Sequence, residues 1–134
     1  MNQKHRIARY IALVAGGLLC AVGVVHDMVN IPAYTRAIAR GDIAAKMGHQ
    51  LMTGVAFGGM ALSLFGVFLL LIAPDLERGK HTAWRTGVVI GVFFVLSGVA
   101  AYLWLPIARV LIFSALGGLI CGPLLIWRKE FLAE

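Results

Sequence analysis

Four long apolar stretches, each too uniform to own a water-facing side, constrain this chain more than any other feature. They run from about Ile7 to Val29, Met47 to Ala73, Trp84 to Leu105 and Ile107 to Trp127. A helix rises about 1.5 Å per residue and the hydrocarbon layer of a bilayer is about 30 Å deep, so roughly 20 apolar residues cross it. Each stretch meets that length. A soluble bundle would need a polar face on every helix, yet residues 55–73 carry only Ser63 as a polar side chain. With 60% of the 134 residues apolar and 13% charged, the chain leaves no room for a soluble domain beside the spans. The expected fold is a single all-α integral membrane domain over residues 1–134, an antiparallel four-helix transmembrane bundle.

The net charge of +6 is spread over the span ends, which argues against nucleic acid as a partner. Lys4, Arg6 and Arg9 precede the first span, Arg78, Lys80 and Arg85 separate the second from the third, and Arg128 and Lys129 follow the fourth. These eight of the twelve basic residues share one side, against Arg36, Arg40, Lys46 and Arg109 on the other. The positive-inside bias then places both termini in the cytoplasm and the chain in a bacterial inner membrane. Trp84, Trp104 and Trp127 stand at span ends, where an amphipathic ring prefers the headgroup region. Lys4 to Arg9, the apolar run and Ala21-Val22-Gly23 are similar to a cleavable secretory signal, but the run is long for one and the cleavage site imperfect, so the first stretch is read as a span.

Only the first connection, about residues 30–46, has room for structure of its own. Pro32 suits the first turn of a helix and Gly41 its end, and Ala33, Tyr34, Ala37 and Ile38 share one side, so a short amphipathic surface helix is expected over residues 32–40. Asp42 is placed to cap the second span. Pro74, Asp75 and Gly79 end that span and permit a turn. Trp104-Leu105-Pro106 joins the last two spans in a close hairpin. Gly54 and Gly58, Gly87 and Gly91, and Gly118 and Gly122 each make a GxxxG step of the kind that lets helix backbones approach, within the bundle or in a homo-oligomer or membrane-protein complex.

An ionisable side chain inside a membrane needs a partner or a route to the interface. The expected topology gathers such groups at the outer ends of the spans. His26 and Asp27, with Asn30 beyond, top the first span; His49, Gln50 and Thr53 begin the second; Tyr102 and Arg109 flank the last turn. Gly16, Cys20, Gly23 and Asp27 follow helical spacing, so Asp27 crowns a stripe of small residues that should face other helices. Tyr102 crowns a similar line through Gly87, Gly91 and Gly98. Arg109 is expected either to pair with Asp27 or to extend to the headgroups.

His26, Asp27, His49, Gln50, Thr53, Tyr102 and Arg109 therefore form the candidate outer pocket. The leading reading is a non-enzymatic accessory subunit, or a binder of a small amphipathic ligand. The alternatives are a redox protein holding haem or quinone with His26 and His49, and a proton-coupled transporter using Asp27. No ligand spacing such as HExxH or Cys-x-x-Cys-His marks a metal or haem site, and no nucleophile elbow, phosphate loop or dinucleotide fingerprint is present. Cys20 and Cys121 are expected about 10 Å apart in depth, beyond the roughly 7 Å between alpha carbons that a disulfide spans.

Overall fold

A computed structural model describes residues 2–104 and 106–132, the side chain of Arg109 excepted, and no strand occurs among them. Helix α1 spans Gln3–Ala39, α2 Ala45–Glu77, α3 His81–Trp104, α4 Leu111–Ile126 and α5 Arg128–Leu132, with a 3-10 turn at Ala108–Val110. The first three helices are long and apolar enough to cross a membrane; α4, at 16 residues, is shorter. At most 33% of the most apolar window of any of the three is buried. Side chains such as Met28, Phe57, Leu71, Val89 and Leu96 are each more than 60% exposed, an arrangement suited to lipid and not to water.

Two differences from the expected layout concern prolines. The surface helix over residues 32–40 is not a separate element, because α1 continues through Pro32 to Ala39. Proline removes one backbone donor from the ladder. The residues beyond it are nevertheless held helical by contacts with α2: Ile38 lies against Gly48, and the Thr35 hydroxyl is 3.9 Å from the sulfur of Met52. Likewise α2 runs past Pro74 to Glu77. The last connection also differs. Helix α4 begins at Leu111 and not at Ile107, because the chain first closes a 3-10 turn in which the Val110 amide donates to the Ile107 carbonyl.

Both expected glycine stops are present. Gly41 and Gly79 have φ of 76° and 74°. Each closes the same pair of bonds: the amides of Gly41 and Asp42 donate to the carbonyls of Ile38 and Ala37, and those of Gly79 and Lys80 to Leu76 and Asp75. Asp42 does not cap α2. Its carboxylate accepts from Arg40 at 2.9 Å, and the Ala44 carbonyl, just ahead of α2, accepts from the Gly48 amide.

The chain divides into two units, Met1–Ala15 with Leu69–Glu134, and Gly16–Phe68. In the first, Ala8, Ala12, Ala73, Leu76, Ala83, Leu124 and Phe131 form the core, with Trp84 and Trp127 packed on it. Gly87 lies against Leu124, Gly91 against Cys121 and Gly117, and Gly98 against Ser114, so α3 and α4 run in opposite directions. The Ser114 hydroxyl donates to the Val95 carbonyl at 2.9 Å. The Trp84 indole donates to the Leu124 carbonyl at 2.7 Å, satisfying an acceptor that the end of α4 leaves without a helical partner.

At its basic end this unit is tied by ion pairs. Lys4 and Asn2 donate to Glu130, Arg9 to Glu77, and Arg78 and Lys80 to Asp75. The His5 ring packs on Phe131 at 4.6 Å and over Gly79. In the second unit α1 and α2 form a seam, with Gly66 against Gly16 and Cys20, and Gly23 against Gly59 and Ser63. Cys20 and Cys121 are free thiols.

The two glycine turns have different surroundings. Gly41→Ala meets only open space, so its expected cost is the backbone penalty of about 1–2 kcal/mol. Gly79→Ala adds a collision with the His5 ring and should destabilise further, read as a lower midpoint in detergent unfolding than for Gly41→Ala.

The carboxyls at the basic end give a pH dependence. A hydrogen bond from Lys80 holds the Asp75 carboxyl below its ordinary range, and a hydrogen bond from Lys4, with one from Asn2, does the same for Glu130. Depressed folded values stabilise above the ordinary carboxylate range near pH 4, and that stabilisation is lost as pH falls through the folded values. Protection of the Arg128–Leu132 amides from hydrogen exchange, taken relative to the intrinsic rate at each pH, should therefore fall below about pH 4, and Glu130→Gln should remove most of the change.

Candidate functional site

The clearest convergence of polar groups lies in the seam of the second unit. A helix that lines up Gly16, Cys20, Gly23 and Asp27 presents a narrow face, and α2 meets it with Gly59, Ser63 and Gly66. The close approach leaves the Asp27 carboxylate resting directly on Gly59, where any Cβ would occupy its space. Beside it His26 Nδ1 lies 3.1 Å from Asp27 Oδ1, and the His26 ring edge faces Gly58. Asn30 donates to the His26 carbonyl at 2.7 Å. Cys20 completes the seam, its thiol donating to the Ser63 carbonyl at 3.5 Å.

Both acidic and imidazole groups are partly shielded, with 24% of the Asp27 side chain and 36% of the His26 side chain exposed. Toward an ionised carboxylate only the Nδ1–H form of the ring can donate. Nε2 is then left over: it accepts a hydrogen bond when the ring is neutral and donates one when the ring is protonated. His26 also lines a shallow, open groove on the surface of α1, with Ala21, Val22, Val25, Val29 and Asn30. A polar head flanked by apolar wall is the usual form of a site for a lipophilic molecule.

The remaining candidates are placed elsewhere. His49 and Gln50 are exposed on the first turns of α2, and the Thr53 hydroxyl is spent on the carbonyl of His49. Gly48 lies against Ile38 while Gly58 lies against His26, so His49 is nine residues, about 13 Å, along α2 from the level of His26. The unbroken α1 is the reason: by extending past Val29 to Ala39 it pairs the start of α2 with its own last turns. His26 and His49 are thus not brought to one depth. Tyr102 is 38% exposed near the end of α3, in the other unit. The side chain of Arg109 lies outside the described residues.

No group of three or more metal-ligating side chains occurs among the described residues. A small, mainly apolar void of the first unit, between Ala8, Ala12, Leu69, Ile120 and Leu124, is about 10 Å³, too small for a ligand. Gly59, the floor beneath Asp27, was not among the expected site residues. Only the doublet Gly58-Gly59 hinted at it, and spacing alone does not say which glycine of the doublet faces α1. Comparison with protein-family models, curated proteins and solved structures gave no match to this chain.

The seat can be tested by contrast. Gly59→Ala should destabilise the hairpin by about 1–3 kcal/mol through overpacking against Asp27. Gly54→Ala, which meets open space, should be neutral or stabilising by up to about 1 kcal/mol. Equal effects of the two in detergent unfolding would contradict the seat.

Proposed function

We propose that this chain is a non-enzymatic four-span bundle of a bacterial inner membrane that binds the polar head of a small lipophilic molecule at His26 and Asp27. The observation that carries the reading is the shielded pair itself, a carboxylate fixed on Gly59 and an imidazole bonded to it, opening on a valine-lined groove. Fixing the carboxylate orients the ring, which itself lines the groove. A neutral ring accepts from a ligand hydroxyl, and a protonated one donates to a carbonyl such as that of a quinone. The apolar walls take the hydrocarbon part.

The membrane arrangement draws on the sequence. The stretch from Ile107 to Trp127, which includes the 3-10 turn and α4, is long enough for a fourth antiparallel span, and the eight-to-four division of basic residues favours cytoplasmic termini. Gly54, Gly118 and Gly122 face open space, which favours contact with a partner subunit or a second copy on those faces. A haem gripped by His26 and His49 draws no support from their separation along the hairpin.

The test is a titration followed by the NMR signals of the His26 ring, in detergent, with decylubiquinone and with monoolein as probes. The ring signals should move and saturate with at least one probe. Asp27→Asn should weaken the response several-fold, and His49→Ala should leave it unchanged. No saturable response to either probe would overturn the reading.

A further inference from the structure

Among the described residues, the charges at the basic end do not balance. Its described carboxylates are all engaged: Glu130 with Lys4, Glu77 with Arg9, and Asp75 with both Arg78 and Lys80. Arg6, Arg85, Arg128 and Lys129 are left without a carboxylate partner among the described residues. Two of them stand in grooves. Arg6 shares one with Gln3, Ile7 and Tyr10, which helical spacing sets on one face of α1. Arg85 shares the other with Thr82, Thr86, Val89 and Ile90 on α3.

The two grooves repeat one chemistry on separate helices. Each offers a guanidinium, whose planar fork matches the oxygens of a phosphodiester, together with side chains able to donate further hydrogen bonds: Gln3 and Tyr10 in one and Thr82 in the other, where the Thr86 hydroxyl donates to the Thr82 carbonyl. Each continues into apolar surface that points along the helix into the span. Ile7 is 39%, Tyr10 54% and Val14 58% exposed on α1, and Val89 is 67% exposed on α3. A free anion would use only the polar half of such a groove.

We propose that the basic end holds anionic phospholipid at these two grooves, with the phosphodiester on Arg6 or Arg85 and an acyl chain along the apolar residues that follow. The site is complementary to a lipid in both parts, charge to headgroup and exposed side chains to hydrocarbon. This assignment is independent of the groove at His26. It requires only that α1 and α3 stand in a bilayer.

The experiment reconstitutes the full chain in nanodiscs with equal phosphatidylglycerol and phosphatidylcholine and counts the lipids that stay bound, by native mass spectrometry after release. The wild type should retain phosphatidylglycerol several-fold over phosphatidylcholine. Arg6→Gln and Arg85→Gln should each reduce that preference and together abolish it, while the doubly substituted Arg6→Lys, Arg85→Lys chain should recover part of it. Arg40→Gln, at the opposite end of α1, should change nothing. Equal retention of the two lipids by the wild type would sink the proposal, as would a double glutamine variant that retains phosphatidylglycerol normally. Displacement of the lipid by millimolar inorganic phosphate would assign the grooves to a free anion and overturn it as well.

Discussion

Lipid offers a helix the same apolar surroundings as another helix does, so association in a membrane rests on how closely two backbones approach. Here that approach is made at Gly91 against Cys121 and Gly117 on α3 and α4, and at Gly23 and Gly66 on the seam of α1 and α2. The polar contacts follow from it. The Ser114 hydroxyl reaches the Val95 carbonyl, and the Cys20 thiol that of Ser63, because nothing larger stands between the helices. The same closeness seats Asp27 on Gly59.

How the sequence announces this depends on the scale. Hydropathy and length locate the helices, and the glycine stops at Gly41 and Gly79 are legible to the residue because a positive φ has few other occupants. Packing faces are less legible. The step Gly87 to Gly91 does lie in a seam, but Gly118 and Gly122 face open space and their neighbours Gly117 and Cys121 make the contact instead. A helix rotates 100° per residue, so in a segment rich in small residues a shift of one position changes the face without changing the pattern. Prolines mislead in the opposite direction. Pro32 and Pro74 read as boundaries, yet each costs the ladder one bond, and contacts beyond them keep the helix intact.

The candidate site divides on the same ground. His26 and Asp27 adjoin in the chain and share a stripe that i, i+3 and i, i+4 spacing reveals, so their meeting was readable. The expected company of His49 depended on where α1 ends. Ten further residues of helix move the register of α2 and carry His49 to another height. Sequence periodicity fixes faces within one helix; it does not fix the level at which two helices meet.

The continuity of α1 also decides where it is weakest. A rod of 37 residues is about 55 Å long, and its hydrogen-bond ladder is whole except where Pro32 has no amide to offer the Met28 carbonyl. Bending concentrates where a rung is missing. That carbonyl belongs to the residue next to Asp27. The helix is therefore most compliant just beside its one acidic side chain, so the point about which its last turns can pivot lies within one turn of the His26–Asp27 pair.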